Sequence, residues 1–437
     1  MSRRPCVTVP AFHGAAAVLG GAALGWTGWH GVEDPGIALA FGVLIAVGEF
    51  ARWGSVRDRE VRPAGPGGPP PALEGPPGRE PSPLGAAAAL GYALLGGSAG
   101  RPTTHGVLQV VAVVLAGVLA GSVPNIARGC GRVLDHVVRR VLTVAFAAVC
   151  FQPLYATGVL TGLVGKGPYY ALYLLLLLLL TALCDAVLAA LMLRARTGYP
   201  FGPLLRDELR ALAGIRSAVC ATGAVMSLGV AVAGLWAVPL FSVPLLLTQL
   251  SFRRYEAVRT TYRQTIASLS RATEIAGYTP RGHARRVASL STAVGRELGL
   301  SGPELTVLEY AALMHDIGQL SLVDPVPEGA TALLSVAEQR RIASLGGAVV
   351  RQTGVPAAVA VVVECQADPY RDQPLPARIV RTVNAYDDLT GDSAGDALTA
   401  LERLRLRTAH DYQPEVVESL ARVLARGEHG PPAPGRA

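Results

Sequence analysis

Charge is scarce in this 437-residue chain: Asp, Glu, Lys and Arg make up 16% of it, against 51% hydrophobic residues. That balance excludes an ordinary soluble protein, in which about a quarter of residues are charged. Lysine is all but missing, with Lys166 alone, so the net charge of +7 rests on arginine. The six cysteines are scattered and form no CxxC pair or zinc-finger spacing, which excludes a disulfide framework and a structural zinc site. No GxGxxG, P-loop or nucleic-acid motif stands out, so no nucleic-acid partner is expected. No signal-peptide cleavage site follows the first apolar run, which therefore reads as a retained span.

What the chain does have is long apolar runs and a mean hydropathy of +0.37. Runs of bilayer-spanning length lie at about 11–31, 35–52, 83–99, 106–124, 140–164, 168–193, 217–234 and 236–252. Several are rich in Ala and Gly, which suits close helix packing in lipid. Arginine then sets the direction. Arg3 and Arg4 precede the first run; Arg52, Arg57, Arg59 and Arg62 follow the second; Arg128, Arg132, Arg139 and Arg140 follow the fourth. Arg194, Arg196, Arg206, Arg210 and Arg216 follow the sixth, and Arg253 and Arg254 the last. The intervening loops hold Glu33 and Asp34, then Arg101, then Lys166. Positive charge on alternate loops predicts about eight spans in residues 1–252, an integral protein of the cell membrane with both termini cytoplasmic. The Pro/Gly-rich loop 54–82 and the tail 427–437 read as disordered.

Residues 253–276 read as a helix leaving the bilayer. Tyr255, Val258, Tyr262, Leu269, Ala272 and Ala276 make a loose heptad stripe, interrupted by Thr265. Two readings stand: a coiled coil joining two protomers as a homodimer, or a helix packing on its own domain. From 277 to 426 the pattern is soluble and helical with almost no strand signal. Ser301 with Glu304 and Ser335 with Glu338 fit capping boxes. Gly299 and Gly354 fit helix stops, and Thr279-Pro280 fits a helix start. The fold class expected is all-α: a polytopic membrane region followed by an all-helical cytoplasmic domain.

Three helices of that domain each carry a ligand-type side chain on their apolar stripe. His283 precedes Val287, Leu290, Val294 and Leu298; His315 continues Leu305, Leu308 and Ala312, with Asp316 beside it; Asp387 follows Ile379, Val383 and Tyr386. Two imidazoles and two carboxylates suit a divalent Mn, Fe, Mg or Zn ion. The alternative is a set of hydrogen-bonded core groups with no ion. Asp185 within the sixth run is a further candidate, since an intramembrane carboxylate is a functional residue by default, the alternative being a position near the cytoplasmic face where it reaches Arg194 or a loop; Glu49 is expected to pair with Arg52 or Arg3. His13 and His30 read as interfacial.

The order and spacing of His283, His315-Asp316 and Asp387 resemble the HD superfamily of metal-dependent phosphohydrolases. "GHARRVASLSTAVGRELGLSGPELTVLEYAALMHDIGQL", "LPARIVRTVNAYDDLTGD" and "HDYQPEVVESL" resemble its HD-GYP branch, which hydrolyses cyclic di-GMP. The resemblance spans about residues 270–425. It implies an HD-type domain, with His283, His315, Asp316 and Asp387 as metal ligands and Asp316 and Asp387 as the catalytic carboxylates. It further implies a nucleotide or cyclic dinucleotide as substrate, and the membrane region as a sensor. There are departures. The lysine of the family's "HDIGK" is Gln319; Ala343 and Ser344 stand where a histidine is usual; Glu364, Cys365 and Gln366 replace a histidine pair; and the "GYP" signature is missing. The expectation is therefore a membrane-anchored phosphohydrolase of reduced activity, with a catalytically inactive nucleotide sensor or partner-binding module as the alternative. A transporter is the weakest reading, because no paired broken-helix pattern is evident.

The arginine pattern places residue 34 outside the cell and residues 70, 200 and 300 inside. Cysteine labelling of intact cells checks this: reagent reaches a cysteine at 34 and leaves the other three unlabelled. Labelling at 300 from outside overturns the arrangement.

Overall fold

The structure, a computed structural model, describes residues 8–53, 82–126, 131–164, 168–212, 216–324, 326, 330–331, 334–390 and 396–426. The expected disordered loop and tail fall outside them, apart from Ser82. The chain divides into two compact units, the division falling between Ala257 and Val258. Both are helical, as expected. Among the described residues the one sheet is a hairpin of β1 (Gly97–Ser98) and β2 (Arg101–Pro102).

The first unit holds α1 (Thr8–His30), α2 (Pro35–Trp53), α3 (Pro83–Ala93), α4 (Val107–Ile126) and α5 (Gly131–Ala156). After these come α6 (Val159–Val164), α7 (Pro168–Thr197), α8 (Phe201–Ala211), α9 (Ser217–Ala233) and the start of α10 (Ala237–Ile275). Four runs are long and apolar enough to cross a membrane: Val9–His30, Val133–Ala156, Tyr169–Arg196 and Ser217–Ile275. Pro35–Ala51 and Val107–Val123 are apolar but shorter. The expected third span is corrected most. Residues 83–99 form an 11-residue helix, a turn and a hairpin strand. A helix of that length rises about 16 Å, roughly half the hydrocarbon core of a bilayer. Its open carbonyls find side-chain donors: Gln152 Nε2 donates to Ala93 O (2.9 Å) and Leu95 O (3.1 Å). The hairpin in turn caps α9, with Ala99 N and Gly100 N donating to Val230 O (3.1 Å) and Ala231 O (2.9 Å).

Small residues let these helices touch backbone to backbone. A Cβ on Gly121 would stand 2.5 Å from Ala46 O, and one on Gly223 would stand 2.8 Å from Ala87 O. Acidic groups that look costly in the sequence meet bases. Glu49, fully buried on α2, meets His136 Nε2 at 3.0 Å and Arg140 Nη2 at 3.5 Å on α5. Arg3 and the side chain of Arg52, its expected partners, fall outside the described residues. Asp185 on α7 meets Arg139 at 3.1 Å and accepts from Thr143 Oγ1 at 3.3 Å, and does not pair with Arg194. His13 is an ion-pair partner, 3.1 Å from Asp135. His30 stacks on Trp26 at 3.8 Å between ring centroids.

The second unit starts within α10. Helix α10 turns Tyr262, Ile266, Ser270 and Thr273 toward its own domain, and Tyr262 Oη donates to Thr353 O at 3.2 Å. That favours the own-domain reading for this stretch, while Tyr255, Val258 and Leu269 of the heptad stripe stay exposed. Next come α11 (His283–Glu297), α12 (Gly302–Met314), a 3-10 turn (Ile317–Ser321) and α13 (Val336–Gln352). The unit closes with α14 (Ala357–Cys365), α15 (Leu375–Thr390), α16 (Asp396–Leu406) and α17 (Pro414–Ala425). Both capping boxes form: Ser301 N and Oγ meet Glu304 Oε2 at 2.8 and 2.5 Å, and Ser335 Oγ meets Glu338 Oε2 at 2.7 Å. Gly299 and Gly354 end helices at φ +78° and +73°. The start expected at Thr279-Pro280 falls three residues later, where Gly282 at φ +75° caps α11 and delivers His283 as its first residue.

Removing every partner of a buried charge costs about 3–5 kcal/mol, and losing His136 costs less than that because Arg140 stays beside Glu49. His136→Leu is therefore expected to lower the thermal midpoint of the full chain in detergent, and Glu49→Gln added to it to restore most of the loss. An unchanged midpoint in His136→Leu counts against this pairing.

Candidate metal centre

Helix α11 brings His283, the end of α12 brings His315, and Asp316 follows it into the 3-10 turn. All three are buried, and together they form a group whose donor atoms lie close enough to hold a metal ion. His283 Nε2 is 3.3 Å from His315 Nε2 and 3.2 Å from Asp316 Oδ2, and His315 Nε2 is 3.0 Å from the same oxygen. Distances alone do not say what links these atoms; the far side of each ring does. His315 Nδ1 is 2.8 Å from Ala312 O, and a carbonyl only accepts, so Nδ1 carries the hydrogen. His283 Nδ1 is 2.7 Å from Asp387 Oδ2 and donates to it. In neutral rings both Nε2 atoms are then bare lone pairs, turned toward each other and toward a carboxylate. Asp316 Oδ2 makes no properly directed hydrogen bond despite these short distances. An all-acceptor corner requires a cation, either a proton or a metal.

Asp387, expected beside the other three as a ligand, lies instead on the opposite edge of the His283 ring. Its oxygens also accept from Arg286 Nε (2.9 Å) and Nη2 (2.8 Å), a bidentate pair that leaves it satisfied. It orients the imidazole from behind, the usual place for a carboxylate that supports a metal-binding histidine. The position beside the facing ring nitrogens falls to Asn384, one turn earlier on α15, whose Oδ1 is 3.0 Å from His315 Nε2. Its Nδ2 donates to Thr331 Oγ1 at 3.2 Å. An amide suits both states of the corner: it offers oxygen to an ion or, turned over, N–H to the bare ring nitrogen. Asn384 was not among the sequence candidates. Helix α15 is buried on nearly every side, so its apolar stripe could not separate position 384 from 387.

Comparison with known proteins yields nothing. No family model, curated protein or solved structure matches this chain. The assignment of the centre therefore rests on its own chemistry.

Its electrostatics agree with its geometry. Burial opposes a charge on His283, but the charges of Asp316 and Asp387 and the bond to Asp387 prevail and raise its pKa to about 10. His315 is raised against burial by the Asp316 charge. Asp316, though buried, is held far below the usual carboxylate range by the two imidazoles. Asp387 is lowered against burial by His283 and Arg286. Ligand-type side chains of residues 364–368 are engaged elsewhere. Glu364 pairs with Arg351, Asp368 lies 3.5 Å from Arg340, and burial pushes the Cys365 thiol up, away from the thiolate that binds metal. Gln319 is fully buried in the 3-10 turn.

Below about pH 10 His283 holds a proton that an incoming ion must displace. Metal affinity is expected to tighten by roughly tenfold per pH unit between pH 6.5 and 8.5. His315→Ala should abolish binding, whereas Asp387→Asn should weaken it by about 10–100-fold. Calorimetric titration of the full chain with Mn reads all three. Loss of binding in Asp387→Asn equal to that in His315→Ala would return Asp387 to the inner set.

Proposed function

We propose that this chain is a membrane-anchored phosphate-ester-binding protein of the HD phosphohydrolase kind, built around one divalent ion. The observation that carries the reading is the convergence of two imidazole Nε2 atoms on Asp316 Oδ2, a buried oxygen with no hydrogen-bond partner. Two nitrogen donors favour Mn, Fe or Zn over Mg, which prefers oxygen alone. His283, His315 and Asp316 hold the ion, with the Asn384 amide as a fourth group. Asp387 and Arg286 fix the His283 ring. A divalent ion bound there supplies polarisation of a phosphoryl oxygen and a water of lowered pKa.

Ion count argues for low activity on diesters. Cleavage of a phosphodiester gains from a second ion on the leaving oxygen, and the side chains that would hold one are paired with arginines or are not ligands. A nucleotide-binding module with slow turnover fits better than a fast cyclic di-GMP phosphodiesterase. Anchoring in the cell membrane, with both termini cytoplasmic, is supported by the four long apolar helices and the alternation of arginine. A second copy would pair through the exposed stripe of Tyr255, Val258 and Leu269.

Metal analysis and turnover of the full chain test this reading. About one ion per chain and little or no hydrolysis of cyclic di-GMP are expected. Two or more ions with rapid turnover abolished by Asp316→Ala would reject the one-ion assignment.

A further inference from the structure

Beside the corner lies a cleft of about 250 Å³, to which Asp316 and Asn384 contribute one wall. Its volume falls below the roughly 300–1,000 Å³ typical of drug-sized sites. A whole cyclic dinucleotide exceeds it, and a ligand of mononucleotide size or smaller fits. One side is apolar, formed by Leu334, Ile342 and Ala343. The buried Tyr412 adds an aromatic face.

Two arginines reach the cleft, and they differ. Arg407 is neutralised by Asp411, 2.6 Å away. Arg381 has no carboxylate partner among the described residues. One guanidinium nitrogen donates to Asp368 O at 2.5 Å, and the group lies 6.0 Å from the centre of the Tyr412 ring. Arg381 is thus the cation the cleft leaves for a ligand. The corner adds to it. Asp316 and Asp387 carry two negative charges and Arg286 one positive, so one divalent ion leaves the corner with a single positive charge. Together with Arg381, the site presents two positive charges to whatever enters.

Building on the phosphate-ester reading above, we infer that the cleft selects a phosphomonoester dianion of mononucleotide size, its phosphate held between the Asp316 corner and Arg381. A monoester brings close to two negative charges at neutral pH, a diester one, and a guanidinium matches phosphate oxygens in pairs. The apolar side and Tyr412 then receive the nucleoside. Gln366 closes the adjoining wall, its Nε2 tied to His315 O at 2.8 Å, so its carbonyl oxygen is the atom available to a ligand N–H.

Binding of adenosine and guanosine 5′-monophosphates, their 3′,5′-cyclic forms and the parent nucleosides to the full chain tests the inference by equilibrium dialysis. Each is measured with Mn and with EDTA. The monoesters are expected to bind about tenfold or more tighter than the cyclic diesters and nucleosides. Arg381→Gln should remove most of that preference and leave nucleoside binding unchanged, and Arg381→Lys should keep part of it. Thermal midpoints of both variants separate lost binding from lost folding. Equal affinity for monoester and cyclic diester, or a preference unchanged in folded Arg381→Gln, overturns the inference. An Arg381-dependent preference that persists in EDTA, in a chain that takes up no metal, upholds Arg381 as the anion anchor and rejects the metal reading alone. A chain that binds Mn yet shows no preference rejects the inference alone.

Discussion

A carboxylate taken out of water must find a positive charge, and each unit of this protein is arranged around one that has. Glu49 in the first unit is fully buried and meets Arg140, a permanent cation, with His136 beside it. The group ties α2 to α5. Asp316 in the second unit is buried to a similar degree, but it meets only imidazoles. An imidazole supplies a positive charge only while it holds a second proton, and otherwise offers a lone pair. The corner around Asp316 is therefore open to a proton or a metal in a way that the corner around Glu49 is not.

The neighbouring carboxylate shows the same rule from the other side. Asp387 has Arg286 in a two-point contact, so its demand for charge is met and it acts as a fixed acceptor for His283 Nδ1–H. That bond sets the tautomer of His283 and turns its bare nitrogen toward Asp316. Backbone supports the arrangement at two points. Gly282, at positive φ, lets α11 begin at the histidine itself. Gly318 follows Asp316 and abuts the backbone of Ile342 and Gly346, where any side chain would push α13 away. Helix α13 consequently comes close enough for Ala343 to line the cleft.

Much of this is readable from the sequence, because the signals were local. Helical stripes carried His283 and His315 inward, capping boxes marked the starts of α12 and α13, and Gly299 and Gly354 marked the ends of α11 and α13. What the sequence hid was decided by tertiary partners. The choice between Asn384 and Asp387 depended on Arg286, a residue on another helix whose pairing across to α15 no local pattern shows. The third apolar run passed for a span because composition does not show that Gln152 and the end of α9 cap a short helix and a hairpin. The heptad stripe of α10 was half right: Tyr262 faces inward and Ile266, outside the stripe, is the more buried anchor.

Charge matching also limits how many ions the second unit can accept. Each further cation needs carboxylates or imidazoles not already balanced. Glu364 is balanced by Arg351, Asp411 by Arg407, and Asp368 lies against Arg340. Where a second set of ligands would stand, the cleft presents Ala343 and Gln366, one apolar and one neutral. To bring in a second ion, those carboxylates would have to leave their arginines, exposing unpaired guanidinium groups beside the new positive charge. Repulsion among them would then oppose the ion that the carboxylates had been freed to bind. The cations around this cleft are thus better matched to an anionic ligand than to more metal, which fits the proposal of a single ion at the Asp316 corner.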